Sequence, residues 1–340
     1  MHLRVSVIIP NYNHALFLRQ RIESALNQTY QDFEVILMDD ASTDESRNII
    51  ESYRNHTKVS TISYNTINSG SVFKQWIKGL QFAKGELIWI AESDDLAAPG
   101  FLETCVAHLE QNSAADMVFT NSKIISSTGA KLGTTAEEKT DLFARLSAAG
   151  NSIIRGNAVE FLLTEMIISN ASSVLFHKHA FQKIDLTKLA EFTNTGDRFV
   201  YLGIALQGRI HYVPVALNFM RLHGNNTTTS GFANGNIHRD RLKVLHFYFD
   251  ELLLSTDKPV EVSRFYKNNF LSFLTHGETA DNAGVLKKIY RSGNIDGLTY
   301  GLFKLYSVAV RRNRRKPSIL QRILYRILLL KNLQNSDYQK

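Results

Sequence analysis

The amino-acid sequence predicts an α/β fold: a mostly parallel sheet flanked by helices, with a C-terminal helical extension. Two observations carry that expectation. Residues 5–9, 33–38 and 87–90 are short, mainly apolar runs and residues 59–64 a β-branched and aromatic-rich stretch, each too short for a helix. Between them lie helical patterns instead of hairpin turns, over residues 15–28, 42–55 and 72–83, and strands joined through helices pair in parallel. Ligands of such sheets bind at the carboxyl ends of the strands, so the residues that follow each strand carry the functional reading.

The first strand ends in Pro10-Asn11-Tyr12-Asn13. A dinucleotide fingerprint needs glycines here, so that backbone N–H groups can approach a pyrophosphate; this turn has none, and Pro10 has no N–H to offer. No GxxxxGK[ST] loop occurs either, so a bound phosphate is not held by a glycine cradle. The second strand runs into Asp39-Asp40-Ala41-Ser42-Thr43-Asp44-Glu45. Ser42 and Glu45 form a capping box, which starts the next helix and accounts for Ser42, Asp44 and Glu45. Asp39 and Asp40 are left over. A carboxylate there either accepts an N–H from a base edge or decorates a solvated turn.

After the third strand, Asn68 and Gly70 mark a polar turn. The fourth strand delivers Glu92, Asp94 and Asp95 within four positions, before Pro99 and Gly100 turn the chain. Acids crowded at a strand end are costly unless a cation holds them together, which reads as a divalent metal site gripping a diphosphate. Further on, the pattern predicts a helix over 100–112, a strand over 117–120 and, from lack of periodicity, a loop or mobile lid over 126–158. Asp197 stands just before an apolar helix that runs to about residue 206, where a helix N-cap is the plain alternative to a chemical role. A strand over 209–215 follows, then Arg221-Leu222-His223.

VSVIIPNYNH, MDDASTD, NSGS and IAESDD, in this order and spacing, resemble family 2 of the inverting GT-A glycosyltransferases, which transfer sugars from nucleotide-diphosphate donors. The resemblance covers residues 3–230 and implies a GT-A, Rossmann-like fold. It implies that Pro10 and Tyr12 border the nucleotide base, that Asp40 accepts from it, and that Glu92-Ser93-Asp94-Asp95 is the DxD-type metal and ribose site. Glu92 stands where the family usually has Asp, which leaves open whether Asp94 or Asp95 touches the metal, Mn²⁺ or Mg²⁺. By the same resemblance Asp197 is the catalytic base, Arg221 and His223 form the R-x-H segment whose His reaches the metal or diphosphate, and Asn170 and Ser172 lie in the acceptor-side segment. The implied donor-binding set is Pro10, Asn11, Tyr12, Asp39, Asp40, Asn68, Glu92, Asp94 and Arg221; the metal set is Asp94, Asp95 and His223. QxxRW and membrane spans, which accompany processive synthases, are lacking, so one sugar is expected to move per event. A scaffold that binds sugar nucleotides without turnover would lose the base, and a nucleotidyltransferase would carry a basic, glycine-rich N-terminal loop.

The 340 residues carry a net charge of +7, and its distribution decides its meaning. Residues 301–340 hold ten Lys/Arg and one acid, which leaves 29 basic against 31 acidic residues in the rest. That basic tail adjoins an apolar stripe at helical spacing over 318–333, so the expected partner is an anionic membrane surface presenting a lipid-linked saccharide acceptor, not nucleic acid. The single cysteine, Cys105, excludes an intrachain disulfide and fits a reducing compartment. Neither a signal peptide nor a bilayer-spanning run is visible, so a cytoplasmic protein peripheral to the inner membrane face is expected. The expected division is a GT-A domain over 1–235 and a helical extension over 236–340.

Overall fold

A computed structural model of the protein describes residues 5–224, 231 and 236–255, with isolated positions between 262 and 305. β1 (Val5–Asn11) and β2 (Phe33–Asp39) are buried at every position, so the sheet they start must be covered on both faces. On one face Val5, Val7 and Ile9 pack with Leu18, Ile22 and Ala25 of α1 (Ala15–Leu26), joined by Ile50 of α2 (Ser46–Glu51) and by Phe101, Cys105 and Leu109 of α4 (Phe101–Gln111). On the other face α3 (Val72–Phe82) lies so close that a Cβ on Gly79 would fall 2.5 Å from Ile8 Cγ2 and 3.1 Å from Met38 Sδ. Only glycine permits that approach.

β3 (Val59–Tyr64) and β4 (Leu87–Ile90) complete a parallel group in the order β3-β2-β1-β4. Beyond β4 the sheet becomes mixed. β9 (Val174–His177) runs antiparallel between β4 and β6 (Met117–Ser126), and β10 (Ile210–Leu222) lies parallel to β6. β10 continues well past residue 215 because the ladder bulges at Pro214, which has no N–H to give, and then resumes at Ala216. The two-residue β5 (Leu96–Ala97) pairs antiparallel with β10, which brings the segment after the acids against Asn218 and Phe219.

Two expectations are corrected. Residues 126–158 are an ordered insertion, not a loop: β7 (Lys131–Thr134) pairs with β6, α5 (Thr135–Glu138) and α6 (Thr140–Ala148) follow, and β8 (Ser152–Ile153) pairs with β10. Leu142, Phe143 and Leu146 form the buried stripe of α6, a period too brief to stand out from its polar surroundings. The capping box does not form either. α2 starts only at Ser46, and the Ser42 hydroxyl accepts instead from Asn11 Nδ2 (3.1 Å) and the Asn13 N–H (2.9 Å). Asp44 serves two helix starts: its Oδ1 accepts the Ser46 N–H at the start of α2 (3.0 Å) and its Oδ2 the Ala15 N–H at the start of α1 (2.9 Å).

The chain divides into two compact units, Met1–Thr227 and Thr228–Lys340. In the second, Asn236–Ser255 is one helix with Leu242, Leu245, Tyr248, Phe249 and Leu252 buried. No helix among the described residues is long and apolar enough to cross a membrane. The basic tail over 311–340 lies outside the described residues.

Candidate active site

β1 and β2 end in register, Asn11 beside Asp39, and their loops are bound to one another through buried acids. Asp39 accepts from Asn11 Nδ2 (3.2 Å), the Ser42 N–H (3.1 Å) and Arg47 Nε (2.9 Å). Asp40 accepts from Asn65 Nδ2 (2.6 Å) and from both the N–H and the hydroxyl of Ser69 (2.9 and 2.6 Å). Asn68 donates to the Asp40 carbonyl (3.1 Å) and accepts the Gly70 N–H (2.7 Å), with Gly70 at φ +74°. Pro10 is an interior strand residue opposite Met38. Of the residues expected at the base, then, Asn11, Asp39, Asp40 and Asn68 are turned to one another and Tyr12 is the exposed one, at 46%.

At the end of β4 the three acids separate by what reaches them. Asp95 is buried: Oδ2 accepts from Asn170 Nδ2 (2.8 Å) and the Ser172 hydroxyl (2.6 Å), and Oδ1 accepts the Arg221 N–H (3.0 Å). Burial, with Asp94 beside it, raises its pKa to about 6 despite these donors. Glu92 accepts from the Trp76 indole N–H at 2.9 Å, and burial next to Asp94 raises its pKa to about 8. Asp94 keeps 19% of its side chain exposed and meets His223 Nε2 at 3.0 Å. Burial pushes its pKa up, but the hydrogen bond with His223 and the charges of His14 and His223 outweigh that and leave it below the usual carboxylate value.

His14, Asp94 and His223 each offer a ligand atom, and these atoms lie within 4.8 Å of one another. One imidazole nitrogen of His14, Nδ1, is 2.8 Å from the Ser93 hydroxyl, the kind of outer partner that fixes a ligating ring. Burial lowers the His14 pKa, which favours the neutral, ligating imidazole. Two imidazoles and a carboxylate are a donor set suited to a divalent ion such as Mn²⁺, so the residues fit a metal. Asp95, by contrast, has its oxygens committed to Asn170, Ser172 and Arg221.

Arg221 is itself buried, and its guanidinium binds the Asp94 and Ser127 carbonyls and Gln20 Oε1, with its face 4.8 Å from the Phe17 ring centroid. It fastens the acidic turn to α1 and to the β6–β7 hairpin. Beyond α7 (Leu186–Leu189), Asp197 is in the first turn of α8 (Gly196–Gln207), where Thr195 holds the cap position, and its Oδ1 accepts the neighbouring Arg198 N–H at 2.8 Å. One turn on, Tyr201 is fully buried and, after burial, both Asp197 and Glu92 raise its pKa.

Sequence reading missed His14, Arg21 and Trp76. His14 follows the PNYN turn directly, but a lone histidine carries no signal until β10 brings His223 beside it. Arg21 is fully buried on α1 over the Trp89 ring (4.8 Å to the centroid), and none of its three guanidinium nitrogens has a hydrogen-bond partner among the described residues. Burial lowers its pKa to about 10, with Asp95, Asp94 and Glu92 opposing that, so it remains a cation beneath the acids.

Residues 6–159 match the profile described as glycosyl transferase family 2. Over 117 residues the chain is 34% identical to glycosyltransferase GlyG of Streptococcus pneumoniae, covering 34% of this chain and 38% of that protein. Among solved structures, residues 1–349 of S. aureus TarS, in complex with UDP-GlcNAc, superimpose with a TM-score of 0.58 at 17% identity, covering 98% of this chain and 92% of that one. The mannosyltransferase PcManGT of Pyrobaculum calidifontis, in complex with GDP-Man and Mn²⁺, follows at 0.54 and 15%, covering 98% and 88%. The fold is the GT-A α/β fold, and residues 6–159, just under half of the chain, match glycosyl transferase family 2.

Proposed function

We propose that the protein transfers a single sugar from a nucleotide-diphosphate donor to a saccharide acceptor, with inversion at the anomeric carbon. The observation that carries this reading is the His14, Asp94 and His223 cluster at the carboxyl edge of β4, in a chain of this family. Divalent metal held there, Mn²⁺ or Mg²⁺, would supply Lewis-acid neutralisation of the donor's diphosphate. Asp94 would provide the carboxylate ligand and His14 and His223 the imidazole nitrogens, while Asp95 keeps the turn in place through Asn170, Ser172 and Arg221. Tyr12 is the exposed aromatic surface beside which a base can lie.

Asp197 takes the proton of the acceptor hydroxyl as that oxygen bonds to the anomeric carbon. The bond from that carbon to the diphosphate oxygen breaks, and the nucleoside diphosphate leaves with the electron pair. It stands in the first turn of α8, past the cap position of Thr195, and although its Oδ1 also accepts the Arg198 N–H, the match to the family's motif order supports the chemical role. For the acceptor, the basic run 311–316 favours a lipid-linked saccharide on an anionic membrane surface.

The test begins with thermal unfolding against a panel of UDP- and GDP-sugars, with Mn²⁺ and then with EDTA. A donor at a hundredfold excess over its Kd adds about 2.7 kcal/mol to the folded state, and chelation removes it. With that donor, Asp197→Asn should bind normally and lose roughly 10²-fold or more in turnover. Binding indifferent to EDTA, or near-normal turnover of Asp197→Asn, would sink the metal or the base assignment respectively.

A further inference from the structure

We infer that Trp76 and Phe73 of α3 are positioning residues that set the distance between the donor-holding acids of β4 and the base on α8; this rests on the reading of Asp197 as base. The two groups belong to different layers. Glu92 stands two residues past the end of β4, whereas Asp197 is in the first turn of α8, a helix that joins no sheet ladder. What connects them is a file of side chains. Glu92 Oε1 accepts from Trp76 Nε1 at 2.9 Å, and the Trp76 ring meets the Phe73 ring edge-on, centroids 5.1 Å apart. Phe73 then lies flat against the first residue of α8: a Cβ on Gly196 would fall 2.8 Å from Phe73 Cγ and Cδ2 and 2.9 Å from Cδ1.

Trp76 and Phe73 are both buried, at 1% and 3% exposure, so neither ring can swing aside. The Ser71 hydroxyl, at the start of the same helix, donates to the Phe192 carbonyl at 2.6 Å and holds the loop that leads into α8. α3 therefore grips both the end of β4 and the beginning of α8. Gly196 marks where that grip is tightest, and Asp197 is the next residue. A single displacement needs donor and base in register, and a misplacement of about 1 Å costs roughly 10²-fold in rate.

The device makes separable demands. Gly196→Ala drives a methyl into the Phe73 ring, and turnover per folded molecule should fall about tenfold or more while donor KM stays within about twofold. Phe73→Leu in the same chain removes the flat ring and should restore most of that loss. Trp76→Phe keeps a smaller aromatic ring beside Phe73 but deletes the N–H to Glu92, and should show the same split between kcat and KM. The measurement is release of nucleoside diphosphate from the panel sugar that best stabilises the protein, with Mn²⁺ present, normalised to folded protein by circular dichroism.

A merely structural role would lower melting temperature and activity together, without rescue by Phe73→Leu, and that result overturns the inference. If Gly196→Ala does not fold, Trp76→Phe alone decides. Should Asp197→Asn keep its turnover, the base assignment has failed, whereas an inactive Asp197→Asn beside a fully active Trp76→Phe rejects only the positioning role. If no sugar nucleotide is turned over, amide exchange without ligand decides. Faster exchange over residues 193–202 in Trp76→Phe supports the connection, and unchanged exchange there rejects it.

Discussion

Two strand ends in this molecule carry the same pair of letters and do different things with them. β2 ends in Asp39-Asp40 and β4 leads into Asp94-Asp95. At β2 both acids are buried, at 1% and 4% exposure, and their hydrogen bonds run inward to Asn11, Ser42, Arg47, Asn65 and Ser69. At β4 the second acid is closed in the same manner, while the first stays 19% exposed and faces two histidines. A buried carboxylate whose oxygens are taken by donors, the Arg47 cation among them, is a lock between loops; one met by imidazoles at a more open edge is the candidate ligand. The difference teaches that an acid's role here is set by what distant segments deliver to it.

Asp94→Asn gives the largest effect by which this contrast can be broken. It removes the anionic ligand and should weaken Mn²⁺ binding and lower turnover by about 10²-fold or more. Unfolding free energy should move by no more than about 1 kcal/mol, since an amide can still meet His223 and the side chain is partly exposed. Calorimetric titration with Mn²⁺ and urea unfolding of the same sample read the two quantities. A variant that binds Mn²⁺ as the parent does removes Asp94 from the metal site.

Asp95→Asn should invert that pattern. An amide in place of the carboxylate sets an NH₂ against the donors Asn170, Ser172 and Arg221, and takes a negative partner from the buried Arg21. Leaving such groups unmatched costs about 3 kcal/mol in the urea midpoint. Metal affinity per folded molecule should hold. If Asp95→Asn folds with undiminished stability but no longer binds Mn²⁺, the two acids have been assigned in the wrong order.

How far the sequence could be read follows the same division. The parallel half was legible almost residue by residue, because β1, β2 and β4 are apolar runs buried on both faces, whereas β3, the half-exposed edge strand VSTISY, showed by its β-branched and aromatic residues. The insertion over 131–153 was not, because its strands are two and four residues long and its longest helix nine. Among the candidate site residues, the family resemblance pointed to Asp94 and His223, but it did not separate Asp94 from Asp95. It depends on Asn170, Ser172 and the Arg221 N–H, which stand 75 to 126 positions away along the chain. Ser42 shows the opposite failure. Its local pattern spells a capping box, and the Asn11 and Asn13 groups of the neighbouring loop outcompete it.

A smaller effect sharpens the β2 side. Asp40→Asn keeps one acceptor but places an NH₂ near Asn65 or Ser69, and should cost about 2 kcal/mol of stability. If Asp40 serves only as a lock, affinity for the nucleoside diphosphate, measured by calorimetry below the melting transition, should change by less than about threefold, a shift under 1 kcal/mol. A loss far beyond that would give Asp40 a direct hand on the base and make the two strand ends more alike than their burial implies.

The smallest effect concerns the backbone that the β2 lock holds in place. Ala41, between Asp40 and Ser42, has φ +62°, a left-handed conformation that costs an ordinary L residue about 1–2 kcal/mol. Its neighbours impose it: Asp40 faces Ser69 while Ser42 turns back to Asn11 and Asp39, so the chain must reverse within one residue. Glycine tolerates this φ but loses more freedom on folding, which offsets about 0.5–1 kcal/mol of the relief. Ala41→Gly should therefore stabilise the protein by about 0.5 kcal/mol, small but measurable as a higher urea midpoint at unchanged m. Donor affinity should stay the same, because the lock and not the residue defines the loop. A destabilised Ala41→Gly would mean that the methyl makes a contact worth more than the strain, and that the β2 loop is held by packing as well as by its acids.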